Sequence, residues 1–473
     1  KLMDPSGTTV LNTLSDTLAP AQKNFATLDL TGYLLTNRGL WLSLGTLIGV
    51  IAFLRFRFAF DMTKVWSKQR LRQNQVDLQQ LPLTAIKTPK VARPFDRKIR
   101  VAQTWIMALG GFMELLRSPL GLAIPALAVY SFVLIPNLSA GPMDVAILPT
   151  TERIVLYMNS SSLQVFVCLM ISIYAGQLVW RERDTRLSEI ADVVPFPDGL
   201  IVLSKFGSLA LLIIALQFAL MISGVALQLT AHYSQPDLGV YIGARFGFTL
   251  VELLTFAAVA MALHVFILQK YVGHLAVILV YVYSVIAPRL GVEHKLLIFG
   301  SDTGLSGSSF YNQSAFLMPW ILYKSYWAGW AFLFMIAAKH LWVRGRESGF
   351  KMRTKTALKG LRLSGLVFGG FAIVLCAGSV VFYNTNALNS YTTQSEGIEG
   401  RASYERLYRR YNSTPQPLLT GVTLNIEFYP LEREALVKGV YVLKNITNRS
   451  IDSIHVEPAT GVETDQIQFS RYS

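Results

Sequence analysis

The strongest constraint on this chain is a series of apolar runs, each about as long as a bilayer is thick. Eight stand out: residues 40–58, 119–136, 163–180, 200–229, 246–268, 272–287, 315–338 and 363–383. At 1.5 Å per residue, about 20 residues cross a hydrocarbon core of about 30 Å. In hydrocarbon every backbone amide needs a partner within its own segment, so each run is expected to be a helix. The run at 200–229 is long enough to tilt or to end in the interface. Hydrophobic residues make up 52% of the chain and charged ones 15%, well short of the quarter that is usual in a soluble domain. The expected fold class is therefore mainly α, a polytopic membrane protein of about eight transmembrane helices, with a β-rich segment at its C-terminal end.

The formal charge of +14 fits either a nucleic-acid partner or basic loops held on one side of a membrane, and its distribution decides between them. The segment after the first run carries thirteen Lys and Arg, from Arg55 to Arg117, and the segment after the seventh carries eight, from Lys339 to Arg362. The hinge between the third and fourth runs and the turn at Lys270 fall on the same side. The alternate loops are nearly free of Lys and Arg, with Arg153 in one, Arg289 and Lys295 in another, and His232 before Arg245 in the third. This is the positive-inside pattern. It puts the basic loops in the cytoplasm, puts the N-terminal stretch and the tail after Tyr383 outside, and leaves no nucleic-acid partner expected. Trp320, Tyr323, Tyr326, Trp327 and Trp330 suit an interfacial aromatic belt or packing between helices. Residues 99–116 read as an amphipathic helix along the inner face or as a plain elbow before the second run.

The hinge itself, "LVWRERDTRLSEIADVVPFPDGLIVLSKFG", places Arg181, Arg183, Arg186 and Lys205 among Glu182, Asp184, Glu189, Asp192 and Asp198. Charges of both signs give directional pairing with a polar partner surface. A solvated loop that only fixes topology would show the same density. Inside the apolar runs, Glu252 is the clearest ionisable group. An isolated carboxylate there is costly, so it is expected to pair with Lys324, which enters from the same side, or with Arg245, two turns away on its own helix. It would either line a translocation path or act as a static polar clamp.

The motif order Arg181-Glu182-Arg183, Glu189, Pro195, Lys205 resembles the short cytoplasmic helix of ABC-2 type permeases, between the second and third spans of a six-span unit. That resemblance implies coupling through these six residues to a separate ATP-binding cassette subunit. Flanking segments extend it. "DPSGTTVLNTLSDTLAP" resembles the end of a preceding permease half in a bacterial group whose permeases run into an aminopeptidase-N-like (gluzincin) metallopeptidase region. In the tail, "YERLYRRY" puts Tyr404, Leu407, Tyr408 and Tyr411 on one helical face. "GVTLNIEFYP" alternates as a half-buried strand, and "KGVYVLKNITNRSIDSIHV" reads as strand, turn and strand. Both resemble the opening β-domain of that peptidase group.

The resemblance implies five parts: 1–58, the end of the missing first permease half; 59–117, a basic cytoplasmic linker; 118–343, the six-span unit; 344–384, a basic loop and exit span; and 385–473, the start of an extracytoplasmic β-domain. The chain is then expected to be an internal fragment of a permease, an exporter, in a bacterial cytoplasmic (inner) membrane. Its partners would be the ATPase, the bilayer and the missing half.

No cofactor is expected in this fragment. There is no Gly-x-x-x-x-Gly-Lys-Ser/Thr, and none of the six histidines begins His-Glu-x-x-His. ATP would bind the partner, and zinc would belong only beyond Ser473. Cys168 and Cys376 lie in apolar runs and make no disulfide framework. No catalytic or metal-binding residue is assigned. The alternative is a membrane anchor for a zinc-aminopeptidase-like domain, with no transport activity.

Overall fold

A computed structural model describes residues 10–11, 32–55, 96–138, 148–159, 161–185, 187, 193, 197–304, 314–342, 353–355, 357–358, 365–389, 391–412, 414–429, 434–456 and 462–470. Contacts divide the chain into two units, Lys1–Ser390 and Tyr391–Ser473.

The first unit is helical: α1 (Gly32–Arg55), α2 (Arg97–Arg117), α3 (Ala123–Leu138), α4 (Thr151–Met158), α5 (Ser161–Asp184), α6 (Asp198–Thr230), α7 (Leu238–Ile242), α8 (Leu250–Phe266), α9 (Lys270–Ile286), α10 (Ser314–Leu341) and α11 (Gly365–Tyr383). Among the described residues seven helices are long and apolar enough to cross a membrane, or eight if a bent pair counts as one span. In that pair the helix expected at 99–116, ahead of the second run, meets the run expected at 119–136 at an angle. Ser118 is extended, its hydroxyl donates to the Leu115 carbonyl at 2.6 Å, and Pro119 opens a 3₁₀ turn, Pro119–Leu122. Proline offers no amide to continue α2, so the chain turns by 74°.

The long helix α6 is the axis of the unit and packs against α2, α3, α5, α8 and α10. At 33 residues it is about 50 Å long, more than a bilayer core needs. Leu209, Leu212, Ile213, Leu216 and Leu220 on its packed face are fully buried. Apolar contact alone does not drive helices together in lipid, and the same face carries polar ties. Ser208 donates to the Ala108 carbonyl at 2.8 Å, and Ser223 donates to that of Ala128 at 2.8 Å. The first contact needs Gly111, where a Cβ would fall 2.5 Å from the Ser208 hydroxyl.

Helix α8 is buried along most of its length and is entered through α7 and a π turn, Gly243–Thr249. Its His264 meets His274 of α9, ring centroids 4.6 Å apart, over Gly176 of α5. A Cβ at Gly176 would lie 2.3 Å from the His274 ring. After α9 the chain folds back: Trp327 donates to the Ser301 carbonyl at 3.1 Å and Tyr326 to that of Leu296 at 3.3 Å. Trp320, Tyr323 and Trp327 are buried, so these members of the expected aromatic belt pack between elements.

The second unit has α12 (Gln394–Tyr408), opened by a Thr393–Glu396 capping box, and a hairpin of β1 (Leu418–Tyr429) and β2 (Glu434–Lys444). The strands pair antiparallel from Leu418↔Lys444 to Tyr429↔Glu434, with an irregularity between Leu419 and Gly421. The tyrosine face is present: Tyr404, Tyr408 and Tyr411 run ring to ring and end on His455. Two expectations are corrected. Val422, Leu424, Ile426 and Phe428 are exposed rather than half-buried, and residues 450–456 form no strand. Alternation fixes which side chains share a face but does not supply the layer that covers it.

Gln217 is fully buried in α6, and neither its amide oxygen nor its amide nitrogen has a hydrogen-bond partner among the described residues. An orphaned buried polar group costs about 1–3 kcal/mol. Gln217→Leu is therefore expected to stabilise the protein by about 1 kcal/mol or more. Unfolding by sodium dodecyl sulfate titration reads this, and a lower midpoint for the variant would contradict it.

Candidate functional site

The last turn of α5 is where the sequence concentrates charge. An α-helix turns about 100° per residue, so four successive side chains point in four directions. Arg181, Glu182, Arg183 and Asp184 do so, each toward a different element. Arg181 pairs with Glu114 of α2. Glu182 accepts from Lys205 of α6 at 2.7 Å. The Arg183 guanidinium lies 5.0 Å from the Trp180 ring and 5.6 Å from the ring of Trp342, the residue after α10. Asp184 accepts from Lys270 at the start of α9 at 2.6 Å.

These ties differ in strength. Lys205 is buried and also donates to the Leu178 carbonyl at 2.7 Å. Its ammonium lies 5.7 Å from the Trp342 ring, within cation–π reach. The Arg181–Glu114 and Lys270–Asp184 pairs are solvated, where such pairs are worth about 0–1 kcal/mol. Nearby, Arg353 donates to the Val265 and Leu341 carbonyls, closing the ends of α8 and α10. Burial, then the neighbouring Arg183, push its guanidinium below the ordinary value. A cleft of about 800 Å³ opens at the α2–α3 bend beside Glu114, Arg117, Gln177 and Arg181.

Arg181, Glu182, Arg183 and Lys205 are thus brought together. Glu189 and Pro195, and the helix expected between α5 and α6, lie outside the described residues. Leu187 and Val193 are exposed.

At the opposite end of the helices the three intramembrane candidates separate. Lys324 lies 2.9 Å from Glu252 and 2.6 Å from Asp302, and donates to the Gly300 carbonyl at 2.8 Å. Arg245 goes elsewhere: it donates to the Asn159 side-chain oxygen at 2.9 Å. The π turn that carries it aims the side chain inward, and Arg245 is 2% exposed.

Glu114, Asp184, Lys270, Asp302, Trp342 and Asn159 are contact partners that the sequence pattern alone did not pair with these residues. Asp184 and Lys270 had a signal, opposite charges at facing ends of two runs. Asp302 had a weaker one, an acid close before the run that holds Lys324. Among the described residues no group of three or more His, Cys, Asp or Glu side chains is placed to hold a metal ion. No protein-family model, curated protein or solved structure matches the chain.

Two predictions follow from these geometries. Glu182→Gln leaves a buried ammonium without its anion, whereas Lys205→Met leaves a carboxylate whose side chain is 44% exposed and can turn to water. Glu182→Gln is expected to destabilise by about 3 kcal/mol and Lys205→Met by clearly less. Detergent unfolding of both variants gives the order, and equal losses would contradict it. At the other end, the reversed pair Glu252→Lys with Lys324→Glu sets the new glutamate against Asp302. It is expected to remain misfolded by size-exclusion profile, and a further Asp302→Asn to restore a monodisperse peak. Recovery by the two-residue swap alone would show that Asp302 does not share the ammonium.

Proposed function

We propose that this chain is the permease part of an ATP-driven ABC-2 type transporter, an exporter of a bacterial cytoplasmic membrane, with ATP hydrolysed on a separate subunit. The observation that carries this reading is the fan of contacts from residues 181–184 to α2, α6, α9 and the end of α10. A soluble motor that displaces this turn acts on four elements at once. The buried Lys205–Glu182 tie makes α5 and α6 move as one body, while the solvated pairs can break and re-form. In this reading the turn faces the cytoplasm, and Arg181, Glu182, Arg183, Glu189, Pro195 and Lys205 form the coupling element. Lys and Arg crowd the loops on that side, as the positive-inside rule requires. A preceding permease half completes the transporter, and the Tyr391–Ser473 unit leads into an extracytoplasmic aminopeptidase-N-like region.

Leu187 and Val193 are apolar and exposed, at 54% and 80%, within this charged segment. Such residues suit anchors for a docked partner, where one or two side chains carry much of the affinity. An ATPase subunit is expected to co-purify with the wild-type chain, and the Leu187→Asp, Val193→Asp variant to reduce its recovery by about tenfold or more with membrane insertion unchanged. If no ATPase co-purifies, or the double variant retains it fully, coupling is wrong. The separate Tyr391–Ser473 contact unit favours a second reading in that case, a membrane anchor for a peptidase-like domain without transport.

A further inference from the structure

A groove of about 500 Å³ runs between α5 and α9 over the buried ring of Phe256. Its lining is apolar along Leu169, Val277, Val282 and Val285, and its amide side chains, Asn159 and Gln164, are gathered at one end. From Val277 to Ile286 along α9 is about 13 Å, roughly half of a hydrocarbon core. The mouth opens beside the outward face of α9, where Leu275, Leu279 and Val282 are exposed. A guest therefore enters sideways, from the same medium that covers that face.

The polar end has an unbalanced charge. Arg245 is buried, and its hydrogen-bond acceptor among the described residues is Asn159, which lines the groove. Its Nε has no acceptor among the described residues. Tyr241 donates its own hydroxyl to Gln228 and is no anion, and Glu252 is held by Lys324. No carboxylate of the described residues pairs with Arg245. A buried cation without an anion is costly, and so is an unpaired buried donor. An anion placed at Asn159 lies next to this guanidinium and offsets its charge.

We propose that this groove binds an anionic membrane phospholipid, with an acyl chain along Val277–Ile286 and the acidic head at Asn159, in the field of the buried Arg245 that holds it. The two halves of the site select this occupant. A small soluble anion would satisfy Arg245 but leave the apolar slot empty, and a zwitterionic lipid would fill the slot while setting its own cation beside Arg245. A guanidinium, planar and weakly hydrated, suits a phosphate head in such a place. The proposal does not rest on ATP-driven transport: a lipid held here serves a permease or an anchor alike.

Native mass spectrometry of the full chain, delipidated and then titrated with phosphatidylglycerol or phosphatidylcholine, tests it. The wild-type chain is expected to retain at least one phosphatidylglycerol about tenfold more tightly than phosphatidylcholine. Arg245→Gln should lose one such lipid. Val282→Trp, at an exposed position of the groove wall, should lose the same one by filling the slot, and it decides the matter if Arg245→Gln does not fold. Glycerol phosphate, the head without chains, should not compete. The proposal is overturned if both variants retain as many phosphatidylglycerols as wild type, or if glycerol phosphate displaces the lipid. It is also overturned if the groove proves to be covered by a second copy, seen as a dimer that Val282→Trp dissociates without lipid loss.

Discussion

The neutralisation of Lys205 by Glu182 holds the hinge end of the helical unit together. Helices in lipid have little hydrophobic reason to choose one neighbour over another, so directional polar ties decide which helix sits where. Here a buried ammonium on α6 takes one acceptor from the Leu178 carbonyl and another from the Glu182 carboxylate, both on α5. With that pair fixed, the orientation of α5 about its own axis is fixed too. Arg181, Arg183 and Asp184 are then aimed at α2, Trp342 and α9 by the 100° step between residues. A charged run that reads as loop decoration becomes a set of bearings, each toward a different element.

The opposite end is organised differently. There the Gln228 amide gathers the Pro149 carbonyl, the Thr151 hydroxyl and the Tyr241 hydroxyl, joining α6 to α4 and α7 with neutral groups. The two buried cations at that end among the described residues, Arg245 and Lys324, are dealt with separately. Lys324 has two carboxylates, and Arg245 has an amide oxygen. Anionic charge is therefore in surplus around one cation and missing around the other. This uneven arrangement, rather than depth or burial alone, separates a site that is complete from one that invites a ligand.

Much of the helical architecture was legible in the sequence because the constraint is so blunt: a run of about 20 apolar residues has few alternatives to a helix. The run at 163–180 lies within Ser161–Asp184, and that at 200–229 within Asp198–Thr230. The joint at Ser118 was legible as an elbow before the second run, but its angle was not, because a proline at the start of an apolar run fits equally a helix beginning in line and one beginning at an angle. The strands were legible from alternation and their burial was not, since burial depends on a layer that the strands do not encode. Arg181-Glu182-Arg183, Glu189, Pro195 and Lys205 gave a recognisable order along the chain. The partners of Arg181 and Arg183, Glu114 and Trp342, lie far away in sequence and carry no local signature. The pairing of Glu252 with Lys324 was one of two options open to charge and depth, and neither included Asp302.

Asp302 also changes how Glu252 is understood. An ammonium has three N–H donors, and Lys324 has three acceptors around it: Glu252, Asp302 and the Gly300 carbonyl. Each donor is taken. Partner exchange at Glu252 would leave one donor of a buried group unmet, at a cost of about 1–3 kcal/mol unless water or another acceptor moved in. Asp302 and Gly300 belong to the stretch that folds back after α9, whose Ser301 carbonyl also accepts from Trp327. The ammonium thus joins three pieces, α8 through Glu252, the returning stretch, and α10 on which it stands. Saturation of this kind belongs to a fixed clamp rather than to a switch, and it makes the Glu252 carboxylate a positioning group for the fold-back stretch.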